Sequence, residues 1–216
     1  MLKASVLLGI FIYFFFPQNV IAQESTSLQV TGGIIYPMSS SKGLNGNLQF
    51  NYTLNSNVTF YIYSGYSAWD IYYVFFHEDW SPIQHQQIFR AVPENEHSMV
   101  PLYVGSRINF HTIKLFTSFI QFEVGYTHLQ FNSYGIKKII NSETGEVLSY
   151  QQTSKTETSE NLFGVGIGAG ISHPITENFS LILAFNLNSH FNSHYYGLFS
   201  TRGTYSRFTA GFNFTI

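Results

Sequence analysis

The 216-residue chain has no cysteine, and charged residues make up only 10% of it. Without cysteine there can be no disulfide, no thiolate metal site, no cysteine nucleophile and no lipid-bearing N-terminal cysteine. Soluble domains usually carry about 25% charged residues, so the shortage argues against an ordinary cytosolic enzyme. Ten Lys+Arg stand against 12 Asp+Glu, a formal net charge of −2, which excludes a nucleic-acid surface built on bulk positive charge. Mean hydropathy is +0.02, too polar for a bundle of membrane helices. Aromatics are what the chain has in excess, with 22 Phe, 15 Tyr and 2 Trp making 18% of the residues.

Long apolar runs are also scarce, and the one at the N-terminus reads as an address. Lys3 supplies a positive start, Ala4 to Phe16 is apolar, Pro17 breaks the run, and Val20 and Ala22 place small residues at −3 and −1 of a cleavage site. That pattern predicts a secretory signal peptide over residues 1–22, cut before Gln23. The run falls short of the roughly 20 residues a spanning helix needs. Residues 23–216 then form a single domain. No later stretch could cross a bilayer as a helix, so a membrane-resident chain would have to cross as a closed barrel, because hydrocarbon leaves open strand edges unsatisfied.

Eight segments alternate apolar and polar residues with period two, over 28–36, 47–54, 58–69, 99–110, 115–127, 162–171, 180–189 and 206–216. The second, for example, sets Leu48, Phe50, Tyr52 and Leu54 against Asn47, Gln49, Asn51 and Thr53. Alternation alone would also suit a soluble sandwich, so the polar face decides. A solvent-facing strand carries Lys, Glu and Asp, yet these spans hold only Arg107, Glu123 and Arg207 as charges. The remaining polar positions are Asn, Gln, Thr, Tyr and Gly, as in the filled interior of a small barrel whose apolar face meets lipid. Connections alternate in length as well. Short ones at 55–57, 111–114 and 173–178 interleave with long ones at 37–46, 70–98, 128–161 and 190–205. Short periplasmic turns and long external loops produce that rhythm in outer-membrane barrels. The predicted fold is all-β: an eight-stranded antiparallel up-and-down transmembrane β-barrel behind an N-terminal signal peptide.

The segment from Val100 to Phe110 and the closing run from Phe208 to Ile216 resemble the small eight-stranded outer-membrane barrels of the OmpA/OmpX type, and especially the outer-membrane β-barrel proteins of Bacteroidota. The likeness covers residues 27–216. It implies the outer membrane of a Gram-negative bacterium as location, outer-membrane lipid as surroundings, and periplasmic chaperones and the barrel assembly machinery as partners during biogenesis. Phe208, Phe212, Phe214 and Ile216 look like the C-terminal signal that this machinery reads, with Ile216 where an aromatic is usual.

Eight strands enclose a space that side chains fill. Gln49, Asn51, Tyr61, Tyr63 and Phe119 should point inward, and Gly164, Gly166, Gly168 and Gly170 form a glycine face that makes room for them or leaves a narrow path. Glu123 and Arg207 lie at similar heights on nearly opposite walls, which predicts a lumenal ion pair, with Arg107 too low to take part. In the second long connection, Ile71–Phe76 should continue the third strand, and Ser81-Pro82-Ile83-Gln84 reads as the N-terminus of a short helix running to about Ala91. In the third, Ile136–Ile140 and Val147–Tyr150 read as a hairpin prolonging strands five and six, an exposed ribbon able to recruit a partner by strand addition or to shield the rim. The cluster His77, Glu78, Asp79, His85, Glu94, Glu96 and His97 matches no zinc spacing, so no metal and no cofactor are expected.

Three functions remain open. The first is a non-enzymatic barrel displaying loops for adhesion, docking or envelope integrity. The second is an acyl hydrolase acting on lipid A or phospholipid through His190, Ser193 or His194. That serine follows the first histidine by three residues, where the lipid A deacylase pattern has two, and no carboxylate lies near in sequence. The third is a narrow passage for water or small solutes.

Overall fold

The protein is described here by a computed structural model covering residues 25–38, 40–81, 85–113, 115–191 and 203–216, with the side chains of 71–93 and 111–113 outside the description. The signal segment 1–22 lies outside the described residues. Eight strands follow in chain order: β1 (Ser25–Pro37), β2 (Gly43–Thr53), β3 (Val58–Ser81), β4 (His85–Ile113), β5 (Phe116–Ile140), β6 (Val147–Thr176), β7 (Phe179–His190) and β8 (Thr204–Thr215). Each pairs antiparallel with its neighbour in sequence, and β1 meets β8 from Ser27↔Thr215 to Pro37↔Tyr205, closing the ring. Closure gives every strand a hydrogen-bonding partner on both sides at the level of the ring, the condition for crossing hydrocarbon.

The period-two pattern sorts cleanly between the two faces. One hydrogen-bonded row runs Phe214–Leu28–Phe50–Ile62–Val104–Val124–Val165 around most of the wall. All but Leu28 in that row rank among the exposed large hydrophobics, with Val104 at 50% and Val124 at 53%. A continuous apolar girdle of this kind marks a surface covered by something other than water. Along β4 the outward positions from Val100 to Phe110 span ten steps. At about 3.3 Å per residue and a tilt near 40° this gives a belt roughly 25 Å tall, the height of a membrane barrel's apolar band.

One proline interrupts the wall. Pro101 has no N–H to donate, and the β3–β4 bridges lapse between Ser64↔Leu102 and Ser67↔Met99. The Ser64 hydroxyl donates to the Pro101 carbonyl at 2.8 Å across that gap, so a lipid-level hydroxyl finds an acceptor.

Two expectations need correction. Two of the connections anticipated as long loops, 70–98 and 128–161, are mostly strand: β3 and β4 pair up to Ser81↔His85, and β5 and β6 up to Ile140↔Val147, while 192–202 of the fourth lie outside the described residues. The first connection shrinks to 38–42. The helix expected to run on to Ala91 is absent, since His85–Ala91 belong to β4 and pair with β3 (residues 82–84 lie outside the description). Cross-strand pairing overrode the local capping signal, because an aromatic-rich partner strand rewards extension more than Ser-Pro rewards a helical start. The hairpin expected over 136–150 is present as the upper end of β5 and β6.

Direction of the faces is testable by charge insertion. Val104→Arg, on the apolar girdle, should cost about 2–4 kcal/mol of barrel stability, whereas Leu148→Arg on the upper ribbon should cost less than about 0.5 kcal/mol. Equilibrium unfolding of the protein refolded into lipid vesicles reads both.

Candidate functional site

Inside the ring, each row combines large residues with glycines. Reading across β3 to β7, one row is Tyr61–Gly105–Glu123–Gly166–Asn188 and the next is Tyr63–Tyr103–Gly125–Gly164–His190. Each glycine yields the volume that its neighbours need. A Cβ on Gly166 would stand 2.6 Å from Glu123 Cγ, and one on Gly170 would stand 2.8 Å from Phe119 Cε2. The glycine face Gly164, Gly166, Gly168 and Gly170 is thus filled by Tyr103, Glu123, Asn186, Asn188 and Phe119.

Glu123 is the hub. Its Oε1 accepts from Arg207 Nη2 at 2.9 Å, Tyr63 Oη at 3.0 Å and Asn188 Nδ2 at 2.5 Å, while Oε2 accepts from Tyr61 Oη at 3.1 Å and Asn186 Nδ2 at 3.4 Å. Arg207 also donates to Tyr63 Oη at 2.7 Å, and its guanidinium lies 4.9 Å from that ring's centre. The structure brings Glu123 and Arg207 together, both side chains almost fully enclosed. A buried charge is tolerable only with an opposite charge and satisfied lone pairs, and this carboxylate has both. Arg107 sits one layer lower. It donates to Gln29 and Gln121 Oε1 at 3.2 and 3.3 Å and lies 4.1 Å over Phe119, away from Glu123. Below it, Gln49 donates to Asn51 at 2.6 Å, and Asn51 donates to Ser27 and to Asn213 of the closing strand at 3.2 and 3.0 Å.

Above the hub, His190 is buried against Tyr103 and Thr127. Its Nδ1 faces the Gly203 carbonyl at 3.0 Å, and its Nε2 lies 3.0 Å from Thr127 Oγ1 and 3.2 Å from Tyr103 Oη. The backbone carbonyl takes the Nδ1–H, so Nε2 is left as acceptor for the two hydroxyls. A hydrolytic triad needs a carboxylate behind the imidazole and a nucleophile open to substrate; His190 has a carbonyl behind it and stands 2% exposed inside the lumen. Ser193 and His194 lie outside the described residues. Higher still, Ile35, Trp69, Met99, Leu129, Phe131, Leu162 and Tyr205 form an apolar layer that caps the polar interior. His97 is stacked between Trp69 and Phe131, each ring 5.2 Å away. The space left beside Glu123 and Arg207 is about 20 Å³, room for about one water.

Several members of this network were not anticipated from sequence. The alternation of 180–189 turns Asn186 and Asn188 to the same face as Ser180, but nothing local indicates that they converge on Glu123 from across the lumen. The signal available was their height, which matches that of Arg207 on the adjoining strand through the pairs Asn186↔Arg207 and Asn188↔Tyr205. Of the residues expected to form a C-terminal assembly signal, Phe208, Phe212 and Phe214 point outward from β8, each at least 45% exposed, and Ile216 follows at 80%.

Removing the hub charge should be felt as stability. Glu123→Gln leaves Arg207 enclosed without its counter-charge and should cost about 3 kcal/mol or more. A Glu123→Gln/Arg207→Met double variant should recover part of that loss. The heat-dependent shift in gel mobility of the folded barrel measures both.

No family model and no curated protein matches the chain. Solved structures do match it. Neisserial surface protein A superposes with a TM-score of 0.54 at 10% identity, covering 89% of this chain and 97% of the other. A major outer membrane protein from Thermus thermophilus superposes with a TM-score of 0.54 at 11% identity, covering 88% and 99%. With its unbroken ring of eight sequential antiparallel strands, polar packed lumen and apolar exterior, the chain has the fold of the small eight-stranded outer-membrane β-barrels of the OmpA/OmpX type.

Proposed function

We propose that this is a non-enzymatic outer-membrane protein whose packed barrel holds two β-ribbons outside the cell as a surface for adhesion, docking or envelope integrity. One observation carries the reading: a wall that stops at lipid height on one side and continues far above it on the other. β7 ends at His190 and β2 begins at Gly43, whereas β3–β4 and β5–β6 remain paired out to Ser81↔His85 and Ile140↔Val147. Above the apolar belt the composition inverts. Lys137, Lys138, Glu143, Glu146, Lys155 and Glu157 all occur on the β5–β6 ribbon, against Glu123 alone within the β5 membrane span. Ordered strand of that length costs conformational entropy, which a chain serving only to seal the barrel could avoid with a short turn.

The other two functions gain less support. The lumen is filled by the Glu123 network and capped by an apolar layer, which disfavours a passage. The one described member of the hydrolase set, His190, is held by Gly203, Thr127 and Tyr103 inside the wall. The reading also takes residues 1–22 as the export signal and a Gram-negative envelope as the setting, in keeping with the resemblance of residues 100–110 and 208–216 to Bacteroidota barrels.

Two measurements test it. N-terminal sequencing of protein recovered from outer-membrane fractions should begin at Gln23; a chain retaining Lys3 would contradict export by cleavage. The register Tyr134↔Lys155 allows residues 135–154 to be replaced by Asn-Gly without disturbing the barrel. That variant should keep its heat-modifiable gel mobility and lose surface attachment or partner capture. Undiminished capture would remove the ribbon from the proposal.

A further inference from the structure

Just above the apolar belt, on the outer wall of β4, β5 and β6, lies a groove of about 440 Å³. Its lining is Glu96, Ser98, Gln130, Asn132, Glu157 and Ser159, with Phe131 beneath. Register fixes its height. Leu102–Tyr126–Phe163 lies within the belt, Val100–His128–Asn161 comes next, and Ser98–Gln130–Ser159 follows immediately. We propose that this groove binds an uncharged, hydroxyl-rich saccharide segment at the membrane surface. The placement rests on the barrel's orientation in the bilayer argued above.

The concavity is built rather than incidental. β4 and β5 slip register between Asn95 and Ser98, and Glu96 within that bulge takes φ = 52°, the only non-glycine residue at positive φ among the described residues. Bulges re-aim side chains, and a strained backbone persists where its surroundings hold it. Here Asn132 donates to Glu96 Oε2, and Lys155 Nζ lies 3.3 Å from the same oxygen. Beneath the groove Thr158 Oγ1 meets Ser133 Oγ at 3.1 Å, while Ser98, Gln130, Glu157 and Ser159 have no side-chain partner among the described residues.

The chemistry of the lining selects the ligand class. Amide and hydroxyl groups both donate and accept, as sugar hydroxyls do. An apolar guest would leave these groups unpaired. A phosphate or sulfate would meet two carboxylates, Glu96 and Glu157, against the single ammonium of Lys155. The volume lies within the range of small-ligand sites and is far too large for a bare ion. A saccharide could come from a glycolipid of the same membrane or from a soluble glycan, and the two sources share this recognition.

The test uses the whole processed barrel in nanodiscs. One arm exposes it to an array of neutral and of sulfated oligosaccharides, and the other measures retention of a neutral glycosyl diacylglycerol in mixed nanodiscs. Retention of neutral glycans, weakened tenfold or more by Ser159→Trp and by Gln130→Ala but unchanged by Ser149→Trp on the upper ribbon, supports the groove and a soluble source. Retention only of the neutral glycolipid, with the same sensitivity, supports the groove and a membrane source. Retention in neither arm, preference for the sulfated set, or indifference to Ser159→Trp overturns the proposal. Failure of the membrane reading would show differently, as a wild-type protein that never enters the nanodisc.

Discussion

Everything in this molecule hangs on the pairing of β1 with β8. Ser27↔Thr215 through Pro37↔Tyr205 turns an open sheet into a ring, and only a ring leaves no backbone amide facing hydrocarbon unpaired. Once the ring exists, the two faces of each strand meet opposite environments. The row through Phe50, Ile62, Val104 and Val124 has no partner of its own and is stable only against lipid. The opposite face is enclosed, so its polar groups depend on partners that other strands supply.

That second demand explains the interior. Glu123, enclosed at mid-height, draws on five donors from three other strands: Arg207, Tyr61, Tyr63, Asn186 and Asn188. The glycines opposite these residues are part of the same solution. Gly105 and Gly166 flank Glu123 in its row because a ring of eight strands cannot hold a bulky residue at every inward position. The apolar layer of Ile35, Trp69, Met99 and Leu129 then seals the network from outside. The β3–β4 and β5–β6 ribbons and the groove at Glu96 and Ser159 lie outside this seal.

Much of this was legible in the residues alone. Period-two alternation with a polar face almost free of Lys, Glu and Asp gave both strand number and barrel orientation. Counting residues from each turn placed Glu123 and Arg207 at one height. What stayed hidden depends on contacts between distant strands. The convergence of Asn186 and Asn188 on Glu123 requires the register of β6 to β8. The strand at His85–Ala91, where a helix was anticipated, requires the pairing of Phe75↔Ala91 and Phe76↔Arg90, which no local capping rule can see. The bulge at Glu96 is likewise a product of two strands losing step, and no residue near it announces a positive φ.

The central claim is the assignment of faces, and a pair of adjacent residues tests it most directly. Phe122 is 47% exposed and Gln121 is 4% exposed on the same strand. Tryptophan placed at each position in turn, in vesicles of acyl-chain-brominated lipid, reports contact with hydrocarbon by quenching. Strong quenching at Phe122→Trp with little at Gln121→Trp is the expected result. Equal protection of both positions, or quenching at Gln121→Trp alone, would contradict a lipid-facing apolar girdle around a closed polar lumen.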